Sequence, residues 1–167
     1  MLVLDLQLFY LHYKDLALRI KAMKFSEYVQ YDGLGLAELV KSKQVHPSEL
    51  LKIALERTDQ VNPKLNAIII PMYEQAKQRT QQEFSGLFAG VPFLVKDLFQ
   101  EYQGIPTSYG SKALKKINYT PDFNAEIVNR WEQTGIITFG RTNTPEFGIK
   151  GITEPDAWGA CHNRWNL

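Results

Sequence analysis

The chain has 167 residues, 44% hydrophobic and 22% charged, enough apolar material to bury the core of one ordinary globular domain and too much for a disordered segment. Nineteen basic residues against 18 acidic ones leave a net charge of +1, which provides no basic field to hold a phosphate backbone, so nucleic acid is not an expected partner. The single cysteine, Cys161, excludes an intrachain disulfide framework and offers no repeated Cys/His spacing for a metal, which suits a reducing, cytoplasmic setting.

The chain opens on an apolar run from Leu2 to Leu11, but no basic residue precedes it and Asp5 and Gln7 interrupt it. Neither a secretory signal nor a membrane-spanning helix is supported. Residues 2 to 8 alternate like a strand, whereas Leu4, Leu8, Leu11, Asp15 and Leu18 are spaced more like a helix, so periodicity leaves both conformations open. Met23 offers an alternative start, and residues 1–22 are read as an extension that the fold does not need.

Leu36, Leu39 and Val40 suggest a short helix, and Pro47 suits the first position of a second, with Glu49 favourable to its dipole. Leu51, Ala54, Leu55 and Thr58 share one face of that helix, which Asn62-Pro63 is expected to end. Leu65 to Ile70 reads as a buried strand, about Tyr73 to Glu83 as a polar helix, and Phe93-Leu94-Val95 through Leu98 and Phe99 as a second buried strand. A helix from about Asn124 to Gln133, closed by Gly135, leads to a third strand at Ile136, Ile137 and Phe139. Helices alternating with strands predict an α/β layered domain.

Lys96 is out of place within its apolar run. A lysine in dry surroundings finds partners or becomes a usable general base, and the plainer alternative is a packed stem whose head reaches solvent. Asp97 follows it directly, and because strand side chains alternate, Asp97 is not expected to neutralise it. Thr107–Ser111 is a small polar loop, and Gly140–Gly148 lies where a strand ends, the usual ligand position in α/β sheets, though such a loop is also simply a turn. Cys161-His162 is not a catalytic pair, because neighbours in extended chain project to opposite sides. His12 and His46 are isolated, and neither a repeat nor a phosphate-binding glycine motif is present.

Four blocks in order carry a resemblance: Gly90–Asp97, Thr107–Ser111, Gly140–Gly148 and Trp158–Asn163. Together with the passage from Val61 to Ala67 they resemble the amidase signature family over about residues 25 to 167. Within it, the phrase Thr153–Gly159 is similar to the hydrolases of the 6-aminohexanoate cyclic dimer.

The resemblance implies the N-terminal part of the amidase signature fold, with helices around an incomplete mixed β-sheet and residues 23–167 forming that portion. It implies amide hydrolysis by a Ser–cis-Ser–Lys triad in which Lys96 matches the base, with Phe147, Gly148 and Ile149 facing a small-molecule amide substrate. No metal or other cofactor is implied, nor is a membrane. The family's Gly-Gly-Ser-Ser-Gly-Gly loop, which carries both serines and the oxyanion donors, does not occur here, and Arg164 stands where proline is expected. Ser108 and Ser111 belong to a different block and are not substitutes.

These 167 residues alone are therefore expected to be inactive and to expose strand edges that call for a complementing C-terminal fragment or a homo-oligomer. The alternatives are a non-catalytic binding or interaction protein that retains the scaffold, and a fragment of the larger, hydrolase-like chain of an amidotransferase.

Overall fold

The computed structural model describes residues 22–165, so the readings for residues 1–21 and for the last two residues lie outside the described residues. Helix α1 (Phe25–Tyr28) is a single turn, in which Glu27 closes back on the Lys24 backbone N–H. Helix α2 (Gly33–Lys41) starts on Asp32, whose carboxylate accepts from the Gly35 N–H, and sinks Leu36 and Ala37. Helix α3 (Pro47–Leu65) begins as predicted with Pro47 in its first turn. His46, isolated in the sequence, caps it by accepting from the Ser48 N–H.

Asn62-Pro63 does not end α3. Proline this close to a C-terminus removes one backbone donor, and the helix runs on to Leu65 before Asn66 turns left-handed at φ 50°. Asn62 shapes the exit instead: its carboxamide accepts from the N–H groups of Ala67 and Ile68 and donates to the Ile68 carbonyl. Strand β1 is consequently shorter than expected, Ile68–Pro71, and because it lies at an edge of the sheet its isoleucines are only half-buried.

Helix α4 (Tyr73–Arg79) stops four residues earlier than predicted, and strand β2 (Pro92–Lys96) stops short of Leu98 and Phe99, which lie in the following loop. Helix α5 (Lys112–Lys116) is a short turn that the sequence pattern does not announce. Helix α6 (Glu126–Gln133) and strand β3 (Ile137–Thr142) follow, and β3 runs three residues beyond Phe139 into the expected loop. The sheet order is β1-β3-β2, with β3 antiparallel to β1 and parallel to β2. The expected mixed sheet is therefore present, small and open.

Period-two alternation sorts the strands' side chains into two apolar layers. Ile137, Phe139 and Leu94 pack with Leu51 of α3 and Ala76 of α4, while Val95 packs on the other face with Tyr102, Ile105 and Val128 of α6. Ile68 and Ile70 have the same parity yet face opposite layers, because a register shift lies between them. A third cluster joins α2 to α3 through Leu36, Ala37, Val45, Leu50 and Val91.

The turn after α6 crosses the segment before β2 so closely that neither side tolerates a side chain. A Cβ on Gly135, at φ +84°, would lie 2.4 Å from the Ser85 carbonyl oxygen, and one on Gly86, at φ +105°, 2.5 Å from that of Gln133. Gly135→Ala is expected to destabilise the chain by more than about 1 kcal/mol, read as a shifted midpoint in chemical denaturation.

Tyr102 lies in the second layer with its hydroxyl 2.6 Å from Thr138 Oγ1. Burial pushes its phenol up to about 12, partly opposed by that hydrogen bond. Because the folded value is raised, the linked stability is intact below the phenol's ordinary value of 10 and drains away as pH rises from there towards 12. Spectrophotometric titration of the native protein is expected to show late-ionising phenols, and Tyr102→Phe to lower their number by one.

Candidate active site

Strands β2 and β3 end side by side. Lys96 is paired with Thr142, and the Asp97 N–H donates to the Thr142 carbonyl at 3.0 Å. The two residues then diverge as alternation requires. Asp97 is fully buried and so is Arg141, whose Nε lies 3.0 Å from Asp97 Oδ1. Among the described residues no buried side-chain nitrogen or oxygen here lacks a hydrogen-bond partner. Arg141 also reaches the Gln100 carbonyl and Thr107 Oγ1, each at 2.9 Å, while Thr107 donates to Asp97 at 2.7 Å. Ser108 gives both its N–H and its hydroxyl to the same carboxylate, and its oxygen accepts from Trp158 Nε1 at 2.8 Å.

The small polar loop Thr107–Ser111 thus supplies the shell of a buried charge through Thr107 and Ser108. Ser108 is buried, its hydroxyl donates to Asp97 and its oxygen accepts from Trp158.

Lys96 is left without a counter-ion by this arrangement. Half-buried at the end of β2, it makes no ion pair among the described residues, and its Nζ lies 3.4 Å from the Asn143 carbonyl oxygen. It is thus neither sealed in the core nor a lysine with its head in open water. The nearest carboxylate in sequence already belongs to Arg141.

Asn143, which the sequence does not single out, ties the region together. It is 4% exposed, and its Nδ2 donates to the carbonyls of Asn66 and Gly159 at 3.2 and 3.1 Å. Its Oδ1 accepts from the Thr144 N–H and its own N–H donates to the Ala67 carbonyl. Asn66 answers by donating to the Trp158 and Ala160 carbonyls at 2.8 and 3.0 Å.

Phe147, Gly148 and Ile149 form a 3-10 turn and its exit beyond β3, with Phe147 45% and Ile149 79% exposed. Phe147 has φ 49°, and two more aromatic residues of the same end, Phe99 and Tyr109, have φ 52°. Side chains of this size rarely take that conformation. Their rings meet, Phe99 and Phe147 lying 5.1 and 6.1 Å from the Tyr109 centroid. Tyr109 donates its hydroxyl to the buried Glu101, and burial together with that acceptor holds its phenol well above the ordinary value. Cys161 is half-exposed and His162 exposed, and their backbone N–H groups bond to Thr153 and Leu65, so the adjacency serves loop structure.

Among the described residues no group of three or more His, Cys, Asp or Glu could hold a metal, and no helix is long and apolar enough to cross a membrane.

This geometry coincides with membership of a known class. The amidase family profile matches residues 49–167, and the chain belongs to that family. It is 43% identical over 136 residues to the 6-aminohexanoate-cyclic-dimer hydrolase of Paenarthrobacter ureafaciens, covering 81% of this chain and 27% of that protein. It is 36% identical over 140 residues to the acylamidase of Rhodococcus erythropolis, over 79% of this chain and 29% of the relative.

Among solved structures, a 6-aminohexanoate cyclic dimer hydrolase complexed with substrate superposes with a TM-score of 0.78 at 42% identity, over 82% of this chain and 28% of that one. A bacterial aryl acylamidase of the amidase signature family follows at 0.74 and 31% identity, over 82% and 30%. The fold is the amidase signature fold, and the 167 residues span less than a third of the length of these relatives.

Proposed function

We propose that these residues are the lysine-bearing, N-terminal portion of a hydrolase of carbon–nitrogen amide bonds, with Lys96 as the base of a Ser–cis-Ser–Lys triad. The observation that carries this reading is the lysine's position. It is half-sunk where two parallel strands end, beside a carboxylate that Arg141 has already claimed. An amine with no anion to hold its proton is suited to take one from a hydroxyl and return it to a leaving amine. Both serines and the oxyanion donors would come from sequence not among these 167 residues, as a continuation of the chain or a complementing C-terminal fragment, with self-association as the other source of cover for the sheet.

Phe147, Gly148 and Ile149 are proposed to face the substrate, a small linear or cyclic amide. The exposed Phe147 ring and the aliphatic surface of Ile149 suit the apolar chain of a lactam or acyl amide better than a charged one. Similarity to hydrolases of the 6-aminohexanoate cyclic dimer supports the cyclic class. An amidotransferase role has relatives behind it but no feature of these residues to select it.

The nucleotides beyond codon 167 test the reading first: a Gly-Gly-Ser-Ser-Gly-Gly-like loop in any frame supports an enzyme, and its absence favours a non-catalytic binding protein. The purified 167-residue chain is expected to release no amine from the 6-aminohexanoate cyclic dimer, and a polypeptide that adds the serine loop is expected to do so. Hydrolysis by the 167 residues alone, abolished by Lys96→Ala, would overturn the need for outside serines.

A further inference from the structure

Lys96 Nζ meets no side chain in its hydrogen bond. It meets a main-chain carbonyl, that of Asn143, and a carbonyl points where its peptide plane points. The orientation of that plane is set on both sides. The Asn143 N–H is bound to Ala67, and the Asn143 side chain spans from Asn66 to Gly159 while its oxygen holds the next N–H, that of Thr144. The carboxamide uses both of its donor positions and its acceptor and is 4% exposed, so it has no second arrangement of equal satisfaction.

From this geometry we propose that Asn143 is a positioning residue for Lys96: its buried side chain locks the peptide whose carbonyl places the lysine's amine. The inference rests on the amidase reading of Lys96 for its catalytic meaning, but its geometry can be tested without hydrolysis. Asn66 is the internal control. Its carboxamide also ties the 158–160 segment to the end of α3, yet it bonds to Asn143 through its backbone carbonyl and not through its side chain. Loosening the segment through Asn66 therefore disturbs the same neighbourhood without releasing the plane that faces Lys96.

The experiment is competitive acylation of the folded 167-residue chain with limiting acetic anhydride. The rate at Lys96 is read by mass spectrometry against the exposed Lys77, and each variant's denaturation midpoint is measured in parallel. Asn143→Ala is expected to raise the Lys96 to Lys77 labelling ratio about threefold or more, the population change that loss of one net hydrogen bond gives. Asn66→Gly keeps the left-handed backbone and removes only the side chain, and it is expected to lower the midpoint while leaving the ratio unchanged.

An equal rise in both variants would mean general loosening and overturn the proposal, as would no change in Asn143→Ala. If Asn143→Ala does not fold, Asn143→Ser is read against the same two outcomes, since it keeps an acceptor for Thr144 and loses the reach to Asn66 and Gly159. Failure here leaves the amidase reading standing. Absence of hydrolysis in a polypeptide complete with its serines would sink the amidase reading and leave the labelling result intact.

Discussion

Asp97→Ala is expected to destabilise the chain by about 3–5 kcal/mol, because it strips the counter-ion from a guanidinium with no exposed surface. A domain of ordinary stability has about 5–15 kcal/mol in hand, so the variant should be largely unfolded or insoluble at 37 °C. The loss has several parts. Arg141 would keep its bonds to the Gln100 carbonyl and Thr107 but carry an unneutralised charge, and Ser108 would lose its acceptor for both its N–H and its hydroxyl. A double change of Asp97→Leu with Arg141→Met removes both charges and is expected to recover only part of the deficit, since the Ser108 and Thr107 donors remain stranded. Urea midpoints of the three proteins check this. A cost below about 1 kcal/mol for Asp97→Ala would mean that water reaches Arg141 and that the pair is not the buried frame described above.

Lys96→Ala is expected to behave in the opposite way. It removes a half-buried side chain with one long hydrogen bond, so its stability effect should stay within about 1 kcal/mol. In a polypeptide that includes the family's serine loop, by contrast, kcat/KM for amide hydrolysis should fall by about 10²–10⁴ or more, the usual contribution of a positioned general base. Lys96→Arg keeps the charge and cannot give up its proton, so it should be as inactive as alanine. Activity retained in Lys96→Arg would remove the lysine from proton transfer and leave it an electrostatic role. The two adjacent residues thus divide the work, with Asp97 expected to govern folding and Lys96 expected to govern chemistry.

Much of this is legible in the sequence. Alternation places Lys96 and Asp97 on different sides, Pro47 marks the start of α3, and the four motif blocks carry the fold. The illegible parts share a physical cause, namely partners distant in sequence. Arg141 lies in a stretch that reads as a binding loop, although it is a strand residue, which the register shift in the β2–β3 ladder pairs with Val95, away from the layer of Ile137 and Phe139. A buried aspartate at the end of β2 calls for a cation at the end of a neighbouring strand, and that is the available signal. Asn143 offers none, since its bonds join positions 77 and 16 residues away. Pro63 misleads because its rule holds for helix interiors, and it is Asn66 that closes the helix. The left-handed aromatics Phe99, Tyr109 and Phe147 give no warning either, because nothing local favours that backbone for them.

The two outer strands of the small sheet carry the same kind of interruption. β1 is four residues long, is interrupted by a register shift and ends in Pro71, all features that spoil a template for another strand. β2 starts at Pro92 and has a register shift of its own against β3, between Phe93 and Leu94, and the Lys96 N–H at its end is taken by Gln100 Oε1. Neither flank is therefore a clean template for another strand. A strand laid along β2 would have to displace the Gln100 side chain, and it would arrive alongside Lys96.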